Sequence, residues 1–523
     1  VYAEKLKEIL AGREEVALLD VREQGVHYRG HPFFACSLPL SRLETMVDDL
    51  VPRRSAPLVL LDGGKEGLAG KAQARLRELG YTDVSILQGG CDAWRASGGE
   101  LFSGVNVPSK AFGEFVEHQY ETPRIPPEQL NEYVKSGRKL VILDSRPFEE
   151  YHRMNIPGGI DAPGAELAWR VHDLAPDPDT LVVVNCAGRT RSIIGCQSLR
   201  NAGIPNPVVA LKDGTMGWEL AGFEVERGST RVAAPPSEAG RKRARAVADR
   251  VAQKFAVKFV SSSRVRDWQS DQTRTLYLLD VRSREEFEAK RIVGSRYAPG
   301  GQLVQATDEY IGVRSSRVVL VDPERVRSVM TASWLNQMGW EDVFVLEPEG
   351  GDGFAGWPTE SGPRMKPVLG LIAWETTPEV EGATILDLST SLRFRARHLP
   401  GAWWAVRSRL DEAKRKLPDP TSLVLTSDDA VLAHLAAPEA AALWPGVPVK
   451  ALEGGNAAWF AAGRPTEAGM ERATTTLDDV WYKPYDHEHG SDYEKHARAY
   501  LSWEVALVDQ IRRDPTIRFR AYR

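Results

Sequence analysis

Leu181-Val-Val-Val-Asn-Cys186-Ala-Gly-Arg189-Thr-Arg191-Ser192, continuing as Ile193-Ile-Gly-Cys196-Gln-Ser-Leu-Arg200, is the stretch from which the fold is read. Residues 181–184 are consecutive aliphatics, the pattern of a short buried strand, and the apolar residues after Ser192 recur at helical spacing. A cysteine therefore falls where a strand ends and a helix begins. The first N–H groups of a helix lack intrahelical partners and its dipole is positive there, so a thiolate or a bound anion is stabilised. Gly188 is expected to let the loop curl back, and Arg189 and Arg191 add positive charge beside the sulfur. Such surroundings lower a thiol pKa and make the sulfur nucleophilic. A free cysteine is often only a small buried hydrophobe. Two arginines and a glycine within five residues favour chemistry at Cys186 instead.

The strand that precedes this one carries a mark that recurs. Val16-Ala-Leu-Leu-Asp20-Val-Arg22, Leu140-Val-Ile-Leu-Asp144-Ser-Arg146, Leu276-Tyr-Leu-Leu-Asp280-Val-Arg282 and Ala383-Thr-Ile-Leu-Asp387-Leu-Ser389 are each a hydrophobic run ending in Asp. A second mark, a strand followed by glycine and then tryptophan, closes each copy at Gly89-Gly90…Trp94, Gly214…Trp218, Gly350-Gly351…Trp357 and Gly454-Gly455…Trp459. Repeats of about one domain's length, with strands alternating with helices, predict an α/β chain of four tandem domains. Each is expected to be a mostly parallel sheet covered by helices on both faces. The expected boundaries are 1–105, 120–228, 243–362 and 368–468, followed by a C-terminal helical extension over 470–523. Proline-rich or polar linkers are expected at 103–127, at 227–250 and around Gly362-Pro-Arg-Met-Lys-Pro367. The basic run Arg241-Lys-Arg-Ala-Arg245 reads as a solvated helix face.

Cys-x-Gly-x-x-Arg-Ser after a hydrophobic strand resembles the active-site loop of the rhodanese family of sulfurtransferases. Asp144-Ser-Arg146-Pro-Phe148-Glu-Glu150-Tyr151-His152 and Asp280-Val-Arg282-Ser-Arg-Glu285-Glu286-Phe287 resemble the opening of a rhodanese domain, and the Gly-Gly…Trp mark resembles its end. Arg397-His398-Leu-Pro-Gly401-Ala402 resembles a turn of the same family. The resemblance covers about residues 5–468. It implies rhodanese-like folds and one thiosulfate sulfurtransferase site, with Cys186 as the nucleophile and persulfide carrier. Ala187, Gly188, Arg189, Thr190, Arg191 and Ser192 would bind the donor. Asp144 and Arg146 read as supporting residues that tie neighbouring loops together. Cys186 lies 17 residues before Gly203; the same count from Gly339 lands on Asp322, Asp62 stands at this place in the first copy with one extra residue before Gly80, and Ser427 lies near it in the fourth. Neither Asp nor Ser forms a persulfide, so these three copies are expected to be silent.

The same geometry leaves other readings open: a mercaptopyruvate-type sulfurtransferase, a cysteine phosphatase or arsenate reductase, or a non-enzymatic repeat scaffold that carries or senses sulfur. A cysteine phosphatase places five residues between Cys and Arg, whereas four separate Cys186 from Arg191. The expected partners are a small-molecule sulfur donor and a thiol or cyanide acceptor, with no cofactor.

A net charge of −5 offers no general attraction to nucleic acid, and no run approaches the ~20 apolar residues of a membrane span. No secretory leader is visible, and the four cysteines make neither a disulfide framework nor a zinc pattern, so a reducing cytoplasm is expected. Cys196 could relay sulfur, but burial is the better expectation. In the extension, Trp481-Tyr-Lys-Pro-Tyr485-Asp486-His487-Glu488-His489 raises a His-x-His metal motif, yet reads better as a polar turn before a helix, so no metal is expected. Tyr500, Leu501, Trp503, Val505, Leu507, Val508 and Ile511 on that helix need cover, from another repeat or from a second subunit in a homodimer.

Overall fold

The computed structural model describes residues 1–364, 366, 368–487 and 490–522. Met365 and Pro367 of the third expected linker, and Glu488 and His489 of the His-x-His motif, lie outside the described residues. Among the described residues there are four five-stranded sheets and one two-stranded sheet. In the second unit the strand order is Arg124–Ile125, Val208–Leu211, Leu181–Asn185, Leu140–Asp144, Ile160–Asp161, every pair parallel. The third and fourth units repeat that order with Arg317–Val321 and Leu423–Thr426 in the central position. Along Leu181–Asn185, Leu181 and Val183 enter one core while Val182 and Val184 enter the other. A strand buried on both faces has no use for polar alternation, which explains the unbroken aliphatic run.

The first unit departs from this plan. Val16–Asp20 pairs in parallel with Leu58–Leu61 and Cys36–Ser37, and its start pairs antiparallel with Val313–Arg314. That last strand belongs to the third unit's stretch of chain, so units one and three share a sheet. One core of each, with one of unit two, merges into a single cluster, while the opposite sheet face of each of these three units keeps a core of its own and unit four stays apart from the shared cluster.

Two expected linkers are ordered helices. Val107–Tyr120 buries Ala111, Phe112 and Val116 and packs on the Thr190–Ala202 helix that follows Cys186. Gly113 is required there, because a Cβ would meet the Thr190 side chain at 2.8 Å. Glu238–Lys254, capped by the Ser237 hydroxyl accepting from the Gly240 N–H, packs on Glu166–Leu174 and Val326–Gln337. Ala244, Val247 and Val251 face inward, and Lys242, Arg243 and Arg245 of the basic run face solvent.

Units two and three meet through a reciprocal exchange. Gln302 of unit three accepts from Arg191 Nη1 of unit two at 3.2 Å, and Glu166 of unit two accepts from Arg327 Nη1 of unit three at 3.0 Å. Gln302 and Glu166 each lie 22 residues after the opening aspartate of their own unit. Units one and four meet similarly, with Ser41 and Ser408 both donating to Glu23 and Arg407 forked on Glu44. The C-terminal segment leaves unit four, stacks Trp481 on Tyr28 of unit one, runs through the Ser491–Ile511 helix over unit two, and then returns to units one and three, where Arg518 donates to the Ala11 carbonyl and the Arg520 N–H to the Gln337 carbonyl.

Candidate active site

Cys186 is the first residue after its strand and sits four residues before the Thr190–Ala202 helix, 2 % exposed. Its thiol donates to Ser192 Oγ at 3.6 Å, and that hydroxyl donates to the Arg189 carbonyl at 2.8 Å. The backbone of the loop is pinned from below. Thr215 gives its N–H (2.8 Å) and hydroxyl (3.1 Å) to the Cys186 carbonyl, and the Met216 N–H reaches the Ala187 carbonyl at 3.0 Å. Gly214, at φ +57°, is where glycine is needed: a side chain there would run into the Cys186 and Gly188 carbonyls.

Asp144 and Arg146 form a clasp beneath this loop. Arg146 is forked on Asp144 through Nε (2.8 Å) and Nη2 (2.7 Å), and Nη2 also donates to the Met154 carbonyl at 2.6 Å. Asn185, the residue before the cysteine, donates to Asp144 Oδ2 at 3.0 Å and to Thr215 at 3.1 Å. The clasp recurs at Asp20–Arg22 and Asp280–Arg282, and in unit four Ser389 replaces the arginine and gives its backbone N–H to Asp387 at 2.8 Å.

The two loop arginines are both ion-paired. Arg189 lies forked on Glu114 (2.7 and 2.8 Å) and also reaches Glu117 at 2.6 Å and Asp213 at 3.0 Å. Burial works against its charge, but the bonds to Glu114 and the other carboxylates raise its pKa above the ordinary arginine value. Arg191 is forked on Glu150 at 2.9 and 2.7 Å. Burial opposes ionisation of Glu150, and the Arg191 charge outweighs it, holding that carboxyl at about 2. Glu150 stands inside the Asp144…His152 motif; Glu114 and Gln302 are more than 70 residues from the loop and carry no signal in its sequence.

Unit three holds a copy of this loop with its own occupant. Asp322, like Cys186, directly follows its central strand; so do Asp62 and Ser427, which places Ser427 at the cysteine position itself. The Asp322 carboxylate accepts the N–H groups of Glu324 (3.2 Å), Arg327 (2.8 Å) and Ser328 (3.3 Å) and the Arg327 guanidinium at 2.9 Å. Those residues are two, five and six places on from Asp322, as Gly188, Arg191 and Ser192 are from Cys186. Arg327 pairs with Glu286 as Arg191 pairs with Glu150. Asp62 accepts from Gly64 and Ala69, and Ser427 Oγ from Ala433, in the same manner.

The C-terminal segment covers the loop. Tyr485 OH donates to the Ala187 carbonyl at 3.4 Å, and Thr190 Oγ1 donates to the fully buried Glu504 at 3.2 Å. Lys110 Nζ pairs with Glu504 at 3.0 Å, and Tyr500 OH donates to it at 2.9 Å. A Cβ on Gly188 would stand 3.3 Å from Glu504 Oε2 and from the Tyr500 ring. Gly188 is thus needed for the close approach of this helix rather than for a left-handed turn. Of the apolar side chains expected to find cover on another repeat or a second subunit, Tyr500, Leu501, Trp503, Leu507 and Ile511 pack within the chain, against the Val107–Tyr120 helix and the Cys186 loop among others, while Val505 is exposed. Cys36, Cys91 and Cys196 are buried, and burial pushes the Cys196 thiol up to about 12, so its sulfur is a packed group.

The Rhodanese-like domain family matches residues 2–97, 126–221 and 261–357, more than half of the chain. The crystal structure of thiosulfate sulfurtransferase from Pseudomonas aeruginosa is similar at a TM-score of 0.94 and 46% identity, over 100% of this chain and 99% of that one. A helix-turn-helix-type transcriptional regulator of Mycobacterium tuberculosis is 36% identical over 95 residues, 18% of this chain and 41% of the regulator, so the chain spans less than half the length of that relative. A Bacillus subtilis protein named as a candidate sulfur carrier is 27% identical over 135 residues, 24% of this chain and 72% of its own length.

Proposed function

Because this chain belongs to the rhodanese family, we propose that it is a sulfurtransferase that moves sulfane sulfur from thiosulfate to a thiophilic acceptor through a persulfide on Cys186. The Cys186 thiolate attacks the outer sulfur of thiosulfate, the S–S bond of the donor breaks, and sulfite leaves with the electron pair. Cyanide or a thiolate then attacks the terminal sulfur of the persulfide, and the Cys186 thiolate is released as the leaving group. The steps are covalent and sequential, with the first product gone before the acceptor reacts.

The observation that carries this reading is the carboxylate of Asp322, an anion seated on backbone N–H groups and an arginine at the third unit's equivalent of the cysteine loop. By the same spacing, the N–H groups of Gly188, Arg191 and Ser192 and the Arg191 guanidinium hold the anionic donor and the persulfide in unit two. Ala187 and Thr190 complete the loop, and Arg189, spent on three carboxylates, shapes it. Asp144 and Arg146 position Cys186 from below. We read the chain as four rhodanese-like units in which units one, three and four fill the cysteine position with Asp62, Asp322 and Ser427 and serve as framework. Unit three also sets Arg191 through Gln302. The similar P. aeruginosa protein supports thiosulfate as the donor. Four free cysteines suit a reducing cytoplasm, and no helix among the described residues is long and apolar enough to cross a membrane.

Thiocyanate formation from thiosulfate and cyanide tests the proposal, with parallel double-reciprocal lines expected and no turnover in Cys186→Ser. Hydrolysis of an aryl phosphate without thiocyanate formation would move the assignment to a phosphatase.

A further inference from the structure

Where the C-terminal segment turns into its last helix, three side chains outside the Cys186 loop converge. His487, in the turn before the helix, points Nδ1 at Asp492 Oδ2 from 3.4 Å. His496, one helical turn after Asp492 and on the same face, points Nε2 at Asp492 Oδ1 from 3.5 Å. One nitrogen from each imidazole and one oxygen of the carboxylate all lie within 4.8 Å of one another. The two rings stack, 3.5 Å between centroids and 10° between planes, so both present an edge to the same carboxylate.

These separations are long for hydrogen bonds to a carboxylate, which run about 2.7–2.9 Å when charge-assisted. Bonds of ~2.0–2.1 Å around zinc set neighbouring ligands ~3.3–3.4 Å apart, and one ligand atom from each of the three side chains lies within 4.8 Å of the others, so small side-chain rotations bring them onto one ion. Two imidazoles and one carboxylate suit a borderline-soft divalent ion rather than calcium or magnesium, which take oxygen ligands.

We propose that His487, Asp492 and His496 bind one divalent cation of the zinc class, leaving a fourth tetrahedral position to water. The ion would lock the turn holding Tyr485 onto the first two turns of the helix. Tyr485 stacks on Tyr493 at 5.5 Å and reaches the Ala187 carbonyl, so the ion braces the part of the extension that covers the Cys186 loop.

The test uses the full chain, freed of metal with a chelator, in the Cys186→Ser background so that the reactive thiol cannot compete. Titration calorimetry with Zn²⁺ should give one equivalent, and Co²⁺ should give the visible bands of a tetrahedral site without the near-ultraviolet band of thiolate coordination. His496→Gln and Asp492→Asn should each weaken Zn²⁺ binding at least ~10-fold with unchanged circular dichroism. Both side chains are partly exposed, so neither change should prevent folding. No uptake of Zn²⁺, a cobalt–thiolate band, or affinity retained in both variants would overturn the proposal.

Discussion

Arg189→Met separates a structural arginine from a donor-binding one. The guanidinium makes four bonds of 2.6–3.0 Å to Glu114, Glu117 and Asp213, and its side chain is 5% exposed. Glu114 suffers most from its loss, because that carboxylate is fully buried and Arg189 is its bidentate partner, while Glu117 and Asp213 keep access to water. Stranding one buried charge costs about 3–5 kcal/mol. Glu114 can escape part of this by taking up a proton, and burial already pushes its carboxyl upward against the pull of Arg189. The destabilisation should therefore be larger at pH 8 than at pH 5. Urea unfolding should show a lower midpoint with an unchanged slope. Glu114→Gln in the same chain should return much of the loss, since removing both partners leaves no unpaired charge. A parent-like midpoint in Arg189→Met, together with a raised KM for thiosulfate, would refute this reasoning and make Arg189 a donor ligand.

Arg191→Met should behave differently, lowering kcat/KM for thiosulfate roughly a hundredfold or more by removing a cation from the developing sulfite charge; stopped-flow formation of the persulfide checks it. Asp161, buried beside Asp144 in the next strand, has its carboxyl pushed up to about 8 from 3.8 by burial and then by the Asp144 charge. Between those two values the folded chain keeps a proton that the unfolded chain has shed, so its contribution to stability falls as pH rises from about 4 to 8. Asp161→Asn should thus gain on the parent progressively over that window, by ~1–3 kcal/mol at its upper end, and a pH-independent difference in unfolding midpoints would contradict it. Gly214→Ala forces a side chain into the Cys186 and Gly188 carbonyls at a φ of +57°, so it should cost ~1–3 kcal/mol and displace the loop, read as lost persulfide formation.

The strand, the cysteine and the helix after it were legible because each is a local pattern: aliphatics buried on both faces, then residues at the unpaired end of a helix. The opening aspartates were legible for the same reason, since Asp144 and Arg146 are two residues apart and bond to each other. The reading failed where the physics is long-range. Val107–Tyr120 carries Pro108 and Gly113, which look like linker residues, yet the proline sits in the first turn and the glycine makes room for Thr190. Arg189 read as positive charge beside the sulfur, and nothing local says that Glu114, Glu117 and Asp213 converge on it. Gly188 read as a turn residue; the Tyr500 ring and Glu504 explain it instead. The shared strand Val313–Arg314 was invisible, two residues long and almost 300 residues from its partner.

The central claim is a persulfide on Cys186, and intact-protein mass spectrometry after incubation with thiosulfate tests it most directly. The parent chain should gain one sulfur, about 32 Da, the Cys186→Ser chain none, and cyanide should remove the added mass with release of thiocyanate. No added sulfur on the parent, or the same gain on Cys186→Ser, would contradict the account.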